Sequence, residues 1–167
     1  MKKLCQKYLN IFEKVHKINQ ALIFIILSTI LGVLFTEIVL RYILGGSLRW
    51  SYELSRYLFV WLVFLSAGIG FRKGSHMGLD MFVELLSEKK AKILRVITHL
   101  VLLIFVLWIS YKGYGLIANV SGQISPGLRI NMRYPYYSIS IGSFIISLYI
   151  IEMIIKEDIL NNQKGGK

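Results

Sequence analysis

The chain has 167 residues, of which 55% are hydrophobic and only 17% are charged, whereas a soluble domain carries about 25% charged residues. The formal net charge of +11 does not indicate nucleic-acid binding, because the basic residues lie between apolar runs rather than along one soluble face. In a membrane protein such charge usually orients the chain. The single cysteine, Cys5, excludes an internal disulfide and a cysteine-based metal cluster.

The first part of the chain, residues 1–19, is basic and carries an apolar stripe at helical spacing. It predicts either a helix along the membrane surface or a frayed cytoplasmic tail. The apolar run that follows has no small-residue cleavage site, so we expect it to stay in place rather than act as a signal peptide.

Four apolar segments are each long enough to cross a bilayer, which takes roughly 20 residues. They lie at about residues 21–44, 52–71, 93–118 and 135–155. We therefore predict an all-α integral membrane protein with four transmembrane helices and short amphipathic interfacial helices, in one membrane domain over residues 1–167. The chain shows no internal repeat, which argues against a complete transporter built from paired halves.

Two acid–base pairs flank the first loop. Glu37 and Arg41 are one helical turn apart near the end of the first span, and Glu53 and Arg56 lie at the start of the second. Each acid thus has a basic partner nearby in the sequence. We therefore favour a structural role, tying helices together, over an ion or substrate site. Trp50, just before the second span, is typical of an interface anchor.

A second polar stretch follows the second span and contains Arg72, His76 and Asp80. Within residues 79–87, apolar side chains at i, i+3, i+4 and i+7 predict a short helix lying on the membrane surface. Asp80 is placed to cap that helix. A solvated cytoplasmic turn is the alternative.

The distribution of lysine and arginine predicts the topology. Most of them lie in the N-terminal segment, in the loop between the second and third spans, and in the polar tail at 156–167. Both termini are therefore predicted to be cytoplasmic. Arg129 and Arg133 lie in the third loop, against this rule, which suggests contact with an acidic partner protein. Solvation of the loop is the alternative.

Side chains that could support catalysis or bind a cofactor do not form a recognisable pattern. The histidines at 16, 76 and 99 do not make a facing pair within the spans, so a haem site is not predicted. The sequence also lacks a Ser-His-Asp grouping and a phosphate-binding glycine loop. We predict no metal, no cofactor and no enzymatic activity.

Several residues follow one another in a characteristic order over about residues 20–155. They are Arg41-Tyr42, Trp50, Glu53, Arg56-Tyr57, Arg72, Gly74, His76, Asp80 and Ser125-Pro126. This order resembles the small membrane (DctQ-like) subunit of tripartite ATP-independent periplasmic (TRAP) transporters. Where that family often has two adjacent acids after the tryptophan, this chain has Tyr52 before Glu53.

The resemblance implies a multi-pass protein of the bacterial cytoplasmic (inner) membrane that works with partners. These are a large membrane subunit and an extracytoplasmic solute-binding protein, besides membrane lipid. The implied process is sodium-coupled uptake of organic acids such as C4-dicarboxylates or sialic acid. The large subunit would carry the substrate in an elevator motion, and the small one would be its scaffold.

On this interpretation the polar residues fall into two groups. Structural or subunit-interface roles are expected for Glu37, Arg41, Trp50, Glu53, Arg56, Arg72, His76 and Asp80. Contact with the solute-binding protein is expected for Arg129 and Arg133. The alternative function is a small integral-membrane enzyme or helper protein that acts alone.

Overall fold

The structure is a computed structural model that describes residues 2–72 and 88–164. In this part of the chain it has four helices: α1 (Lys2–Ile43), α2 (Ser51–Arg72), α3 (Glu88–Val120) and α4 (Arg133–Lys164). Each contains a stretch long and apolar enough to cross a membrane. The predicted all-α membrane fold with four spans is therefore confirmed. The predicted surface helix at 79–87 lies outside the described residues, as do His76 and Asp80.

Helix α1 continues without a break from residue 2 through the first span. It ends where Gly45 adopts a left-handed conformation, with φ of 66°. Glycine tolerates this conformation because it has no Cβ, which is why it so often terminates helices. The N–H of Gly46 then donates to the carbonyl of Leu40 at 3.1 Å. The chain turns here into the first loop, residues 44–50.

The helices pack side by side in the order α1–α2–α4–α3. Helix α4 packs against α2 on one side and α3 on the other, while α1 packs against α2 and touches α4 at few positions. Within the described residues, α3 contacts no helix other than α4. The buried core lies along α4, where Ile146 and Ile150 meet Val106 of α3, with Phe64 of α2 packed against them. The last helix in the sequence is therefore the central one in space.

Helices α2 and α4 approach closely at two glycines. A methyl group at Gly142 would lie 2.4 Å from Cβ of Phe64, and one at Gly68 would lie 2.7 Å from the ring of Tyr149. Both positions therefore require a residue without a side chain. At Gly70, by contrast, nothing lies within 4 Å.

The connection between α3 and α4, residues 121–132, is here called the Gly127 loop. Its two sides pair at Ile124 and Asn131. The N–H of Ser125 donates to the carbonyl of Ile130 at 2.9 Å. The side chain of Asn131 then accepts the N–H of Arg133 at 3.0 Å, capping the start of α4. The loop is thus an ordered turn that joins directly to the next helix.

Candidate functional site

Glu53 lies in the first turn of α2 and is only 7% exposed. Its Oε2 accepts the backbone N–H groups of Gly127 at 2.8 Å and of Leu128 at 2.7 Å. Its Oε1 accepts the hydroxyl of Tyr57 at 3.1 Å. Hydrogen bonds to an ionised acceptor are stronger than neutral ones. One carboxylate therefore fastens the Gly127 loop to the start of α2.

Glu37 makes the equivalent attachment for the first loop. Its Oε2 accepts the N–H of Leu48 at 2.7 Å, and its Oε1 lies 2.6 Å from the guanidinium of Arg41. The Glu37 side chain is 5% exposed, whereas that of Arg41 is 48% exposed. The predicted Glu37–Arg41 pair is present, and the acid is its buried member. Glu37, Arg41, Glu53 and Tyr57, with the backbone groups they hold, are here called the Glu53 cluster.

The pairing expected between Glu53 and Arg56 is wrong. Arg56 is exposed, and its guanidinium lies 5.4 Å from the centre of the Tyr57 ring. The physical reason is that the backbone amides of the Gly127 loop reach the carboxylate of Glu53, a contact that the local sequence does not reveal. Trp50 lies in the turn before α2 and is 37% exposed.

The two arginines of the third loop have different surroundings. Arg129 is exposed and has a φ of 55°, which is uncommon for a residue other than glycine. Its N–H donates to the carbonyl of Ser125 at 3.1 Å. Arg133 is half-buried at the first turn of α4. Both lie at the same end of the helices as the Glu53 cluster.

A second cluster lies at the opposite end of α2. The guanidinium of Arg72 lies 3.1 Å from the carboxylate of Glu152 on α4 and also contacts Glu13 on α1. Glu152 is almost fully buried, with 2% of its side chain exposed. One arginine therefore links three helices.

Asn19 extends this connection toward the middle of the helices. Its side-chain amide donates to the carbonyl of Leu65 at 3.0 Å and to the hydroxyl of Tyr149 at 3.2 Å. Nδ1 of His16 lies 3.4 Å from the same hydroxyl. The side chains of Glu13, His16, Asn19, Arg72, Tyr149 and Glu152 are here called the Arg72 cluster. It brings α1 into contact with both α2 and α4.

Within the Arg72 cluster, Arg72 is the one residue for which the sequence predicted a structural or interface role. Glu152 is the single acid within the fourth apolar run, a signal that could have identified it. Its observed partner Arg72 lies 80 residues away along the chain. For Glu152, on which the sequence analysis made no prediction, as for Glu53, the observed partner is distant in the sequence.

Both clusters consist of charged and polar groups held by other parts of the same chain. Their geometry joins helix to helix and loop to helix. Among the described residues, no group of three histidine, cysteine, aspartate or glutamate side chains is arranged to hold a metal ion. The arrangement is therefore suited to fixing relative helix positions.

The family model and the relatives that match this chain describe the same kind of protein. Residues 30–158 match the family model described as "Tripartite ATP-independent periplasmic transporters, DctQ component". A TRAP transporter small permease protein of Haemophilus influenzae is 32% identical over 145 residues, covering 83% of this chain and 89% of that protein.

Two further relatives carry substrate names. The C4-dicarboxylate TRAP transporter small permease protein DctQ of Pseudomonas aeruginosa is 26% identical, over 74% of this chain and 60% of that protein. The sialic acid TRAP transporter permease protein SiaT of another Haemophilus influenzae strain is 32% identical over 87 residues. That match covers 52% of this chain but 14% of SiaT, a much longer protein.

Proposed function

Because this chain belongs to the DctQ component family of tripartite ATP-independent periplasmic transporters, we propose that it is the fixed scaffold of a sodium-coupled organic-acid importer. It is a small permease subunit, a multi-pass protein of the bacterial inner membrane and a transporter component rather than an enzyme. The scaffold role, the sodium coupling and the substrate are the proposal.

The substrate class follows from the names of the relatives. One relative is named for C4-dicarboxylates and another for sialic acid, and both are carboxylate compounds. An organic acid is therefore the substrate class that we propose. The local similarity to the much longer SiaT also fits a subunit that works together with a large permease.

The observation that supports the scaffold role is that three buried acidic side chains in or near the membrane-spanning segments bind other groups of this same chain. Glu37 and Glu53 hold loops of this chain, and Glu152 contacts Arg72. A carrier must bind and release its ion and move, whereas these contacts join three helices and two loops. Buried charges that are paired within one subunit favour a part that stays still.

We assign the remaining polar residues to this role. Glu37, Arg41, Trp50, Glu53 and Arg56 would fix one end of the helices and border the large elevator-type subunit. The other end would be fixed by Arg72, with His76 and Asp80 as further candidates from the sequence. Arg129 and Arg133 would contact the solute-binding protein, since both termini are proposed to be cytoplasmic and the Gly127 loop to face outward.

The test is purification and transport with and without this chain. We expect an affinity-tagged chain to co-purify with the large subunit from mild detergent. We further expect cells that lack the chain to lose sodium-dependent uptake of the organic acid. Full uptake without the chain would refute the scaffold role.

The rival is a helper protein that acts alone. It predicts that the chain, expressed without partners, forms a stable oligomer of defined mass. A native mass measurement on the chain expressed alone and on the co-expressed complex distinguishes the two. Stability only in the complex supports the scaffold.

A further inference from the structure

The Gly127 loop is bound by the carboxylate of Glu53 and packs tightly against it. A methyl group at Gly127 would lie 2.6 Å from Oε2 of Glu53 and 3.3 Å from the carbonyl oxygen of Arg49. The backbone at Gly127 therefore lies directly against both α2 and the first loop. The two loops at this end of the molecule form one continuous surface.

The loop also has a defined internal conformation. The hydroxyl oxygen of Ser125, a residue that is 1% exposed, accepts the N–H of Ile130 at 3.3 Å. The N–H of Met132 donates to the carbonyl of Gln123 at 2.9 Å. Arg129 occupies its left-handed conformation inside this framework. Such a conformation costs on the order of 1 kcal/mol and persists where neighbouring contacts over-determine it.

The charges exposed on this surface are of one sign. Residues 36–56 and 112–137, all within the described part, contain two acids, Glu37 and Glu53, and both are buried. The same ranges contain six basic residues: Arg41, Arg49, Arg56, Lys112, Arg129 and Arg133. Arg49 and Arg129 are exposed and lie on the two loops that meet at Gly127. An exposed basic surface without exposed acids attracts an acidic partner.

We propose that Glu53 is a positioning residue that holds the Gly127 loop in a preformed conformation. In that conformation Arg49 and Arg129 present one basic surface to an acidic patch of the solute-binding protein. The proposal rests on the proposed function for the identity of the partner. A loop already fixed in its binding conformation loses little conformational entropy on association, so its binding is tighter than that of a loose loop.

The first test measures the loop itself, in the complex of this chain with its large subunit. Gly127→Ala places a methyl group against Glu53, whereas Gly122→Ala, in the same loop, meets nothing within 4 Å. We expect hydrogen exchange at the amide of Leu128 to accelerate about tenfold in Gly127→Ala and to stay unchanged in Gly122→Ala. Unchanged exchange in both variants would overturn the positioning role.

A second variant removes the carboxylate without adding bulk. We expect Glu53→Ala to accelerate exchange at both Gly127 and Leu128. Glu53→Gln keeps one oxygen that can accept both amides, so it should accelerate exchange less than Glu53→Ala. Tyr57→Phe removes the partner of Oε1 and a 3.2 Å contact of the same hydroxyl with Sδ of Met132, but it leaves Oε2 in place. The amides of Gly127 and Leu128, which donate to Oε2, should therefore stay protected. Equal effects of all three substitutions would indicate general unfolding and overturn the proposal.

The binding test uses the complex in nanodiscs of zwitterionic lipid, which removes anionic lipid as the source of any charge effect. The transporter's own solute-binding protein is titrated at low and high ionic strength. We expect Gly127→Ala and Arg129→Ala each to weaken binding about tenfold, with Arg129→Ala also reducing the salt dependence. Gly122→Ala should bind as the wild type does.

The outcomes separate the two proposals. If the wild-type complex does not bind the solute-binding protein, the docking part of the proposed function fails, while the exchange data still decide whether Glu53 holds the loop. If the wild type binds and Gly127→Ala loosens the loop without weakening binding, docking stands and the proposal that a preformed loop strengthens binding is refuted.

Discussion

The guanidinium of Arg72 on α2 lies 3.1 Å from the carboxylate of Glu152 on α4, although 80 residues separate them in the chain. Glu152 is 2% exposed, so its carboxylate is held by protein groups rather than by water. Glu13 of α1 contacts the same guanidinium. The end of α2 is thus the point at which three helices are held in register.

Removal of the arginine is the first prediction. Arg72→Ala leaves a buried carboxylate without this partner, and breaking a buried ion pair by removing one member costs about 3 kcal/mol or more. We therefore expect a clear fall in the thermal stability of the purified complex. Lys17→Ala, an exposed residue of α1, is the control and should leave stability unchanged.

A double substitution sharpens this prediction. Glu152→Gln added to Arg72→Ala removes the buried charge and should recover part of the lost stability. If the double variant is as unstable as the sum of its two single variants, the two side chains are not coupled and the assigned pair is wrong.

Asn19 provides the second prediction, which concerns the docking of α1. Asn19→Leu removes the donor to the carbonyl of Leu65 and to the hydroxyl of Tyr149. We expect a loss of about 1 kcal/mol of stability and faster hydrogen exchange near residue 19. Gln20→Leu places the same side chain at the exposed neighbouring position, and it should change neither the stability nor the hydrogen exchange. Similar effects of both substitutions would contradict the role of Asn19.

The third prediction separates the two members of the Glu37–Arg41 pair. Glu37 also accepts the N–H of Leu48, whereas Arg41 is half exposed. Glu37→Ala should therefore accelerate hydrogen exchange in residues 44–50, and Arg41→Ala should change it little. The reverse order would show that the ion pair, and not the bond to the backbone, holds the first loop.

The fourth prediction concerns the contact between α2 and α4. In a helix, replacing glycine by alanine gains up to about 1 kcal/mol, but overpacking a close contact costs about 1–3 kcal/mol. At Gly142 the obstacle is Cβ of Phe64, which cannot rotate away, so Gly142→Ala should destabilise the protein. At Gly115 nothing lies within 4 Å, and Gly115→Ala should be neutral or stabilising. A stabilised Gly142→Ala would show that the helices are less tightly packed there.

The sequence predicted the four spans and the Glu37–Arg41 pair because both depend on short-range patterns. Apolar length determines a span, and residues four apart on one helix face are neighbours. The predicted span at 93–118 and the observed stretch Ile93–Val120 differ by two residues at one end.

The partners of Glu53 and Glu152 were not predictable in this way. Glu53 binds backbone amides of a loop 74 and 75 residues away. Nearly every residue has a backbone amide, so the sequence does not show which amides will bind a carboxylate. Glu152 finds its arginine on another helix because α2 and α4 are neighbours in space. The order in which helices pack in a membrane protein depends on contacts between distant segments of the chain. The periodicity of a single sequence carries no information on those contacts.

The central position of α4 has a consequence for how the chain is made. The ribosome synthesises α1 and α2 first, and these two helices can pair at once. Helix α3 follows, yet within the described residues its helix neighbour is α4, which does not yet exist. The arrival of α4 supplies the surface for α3 and brings Glu152 to Arg72 in one step. Completion of this four-helix arrangement is thus tied to the synthesis of α4, and a nascent chain stopped before α4 would leave α3 without its helix neighbour in the described part of the chain.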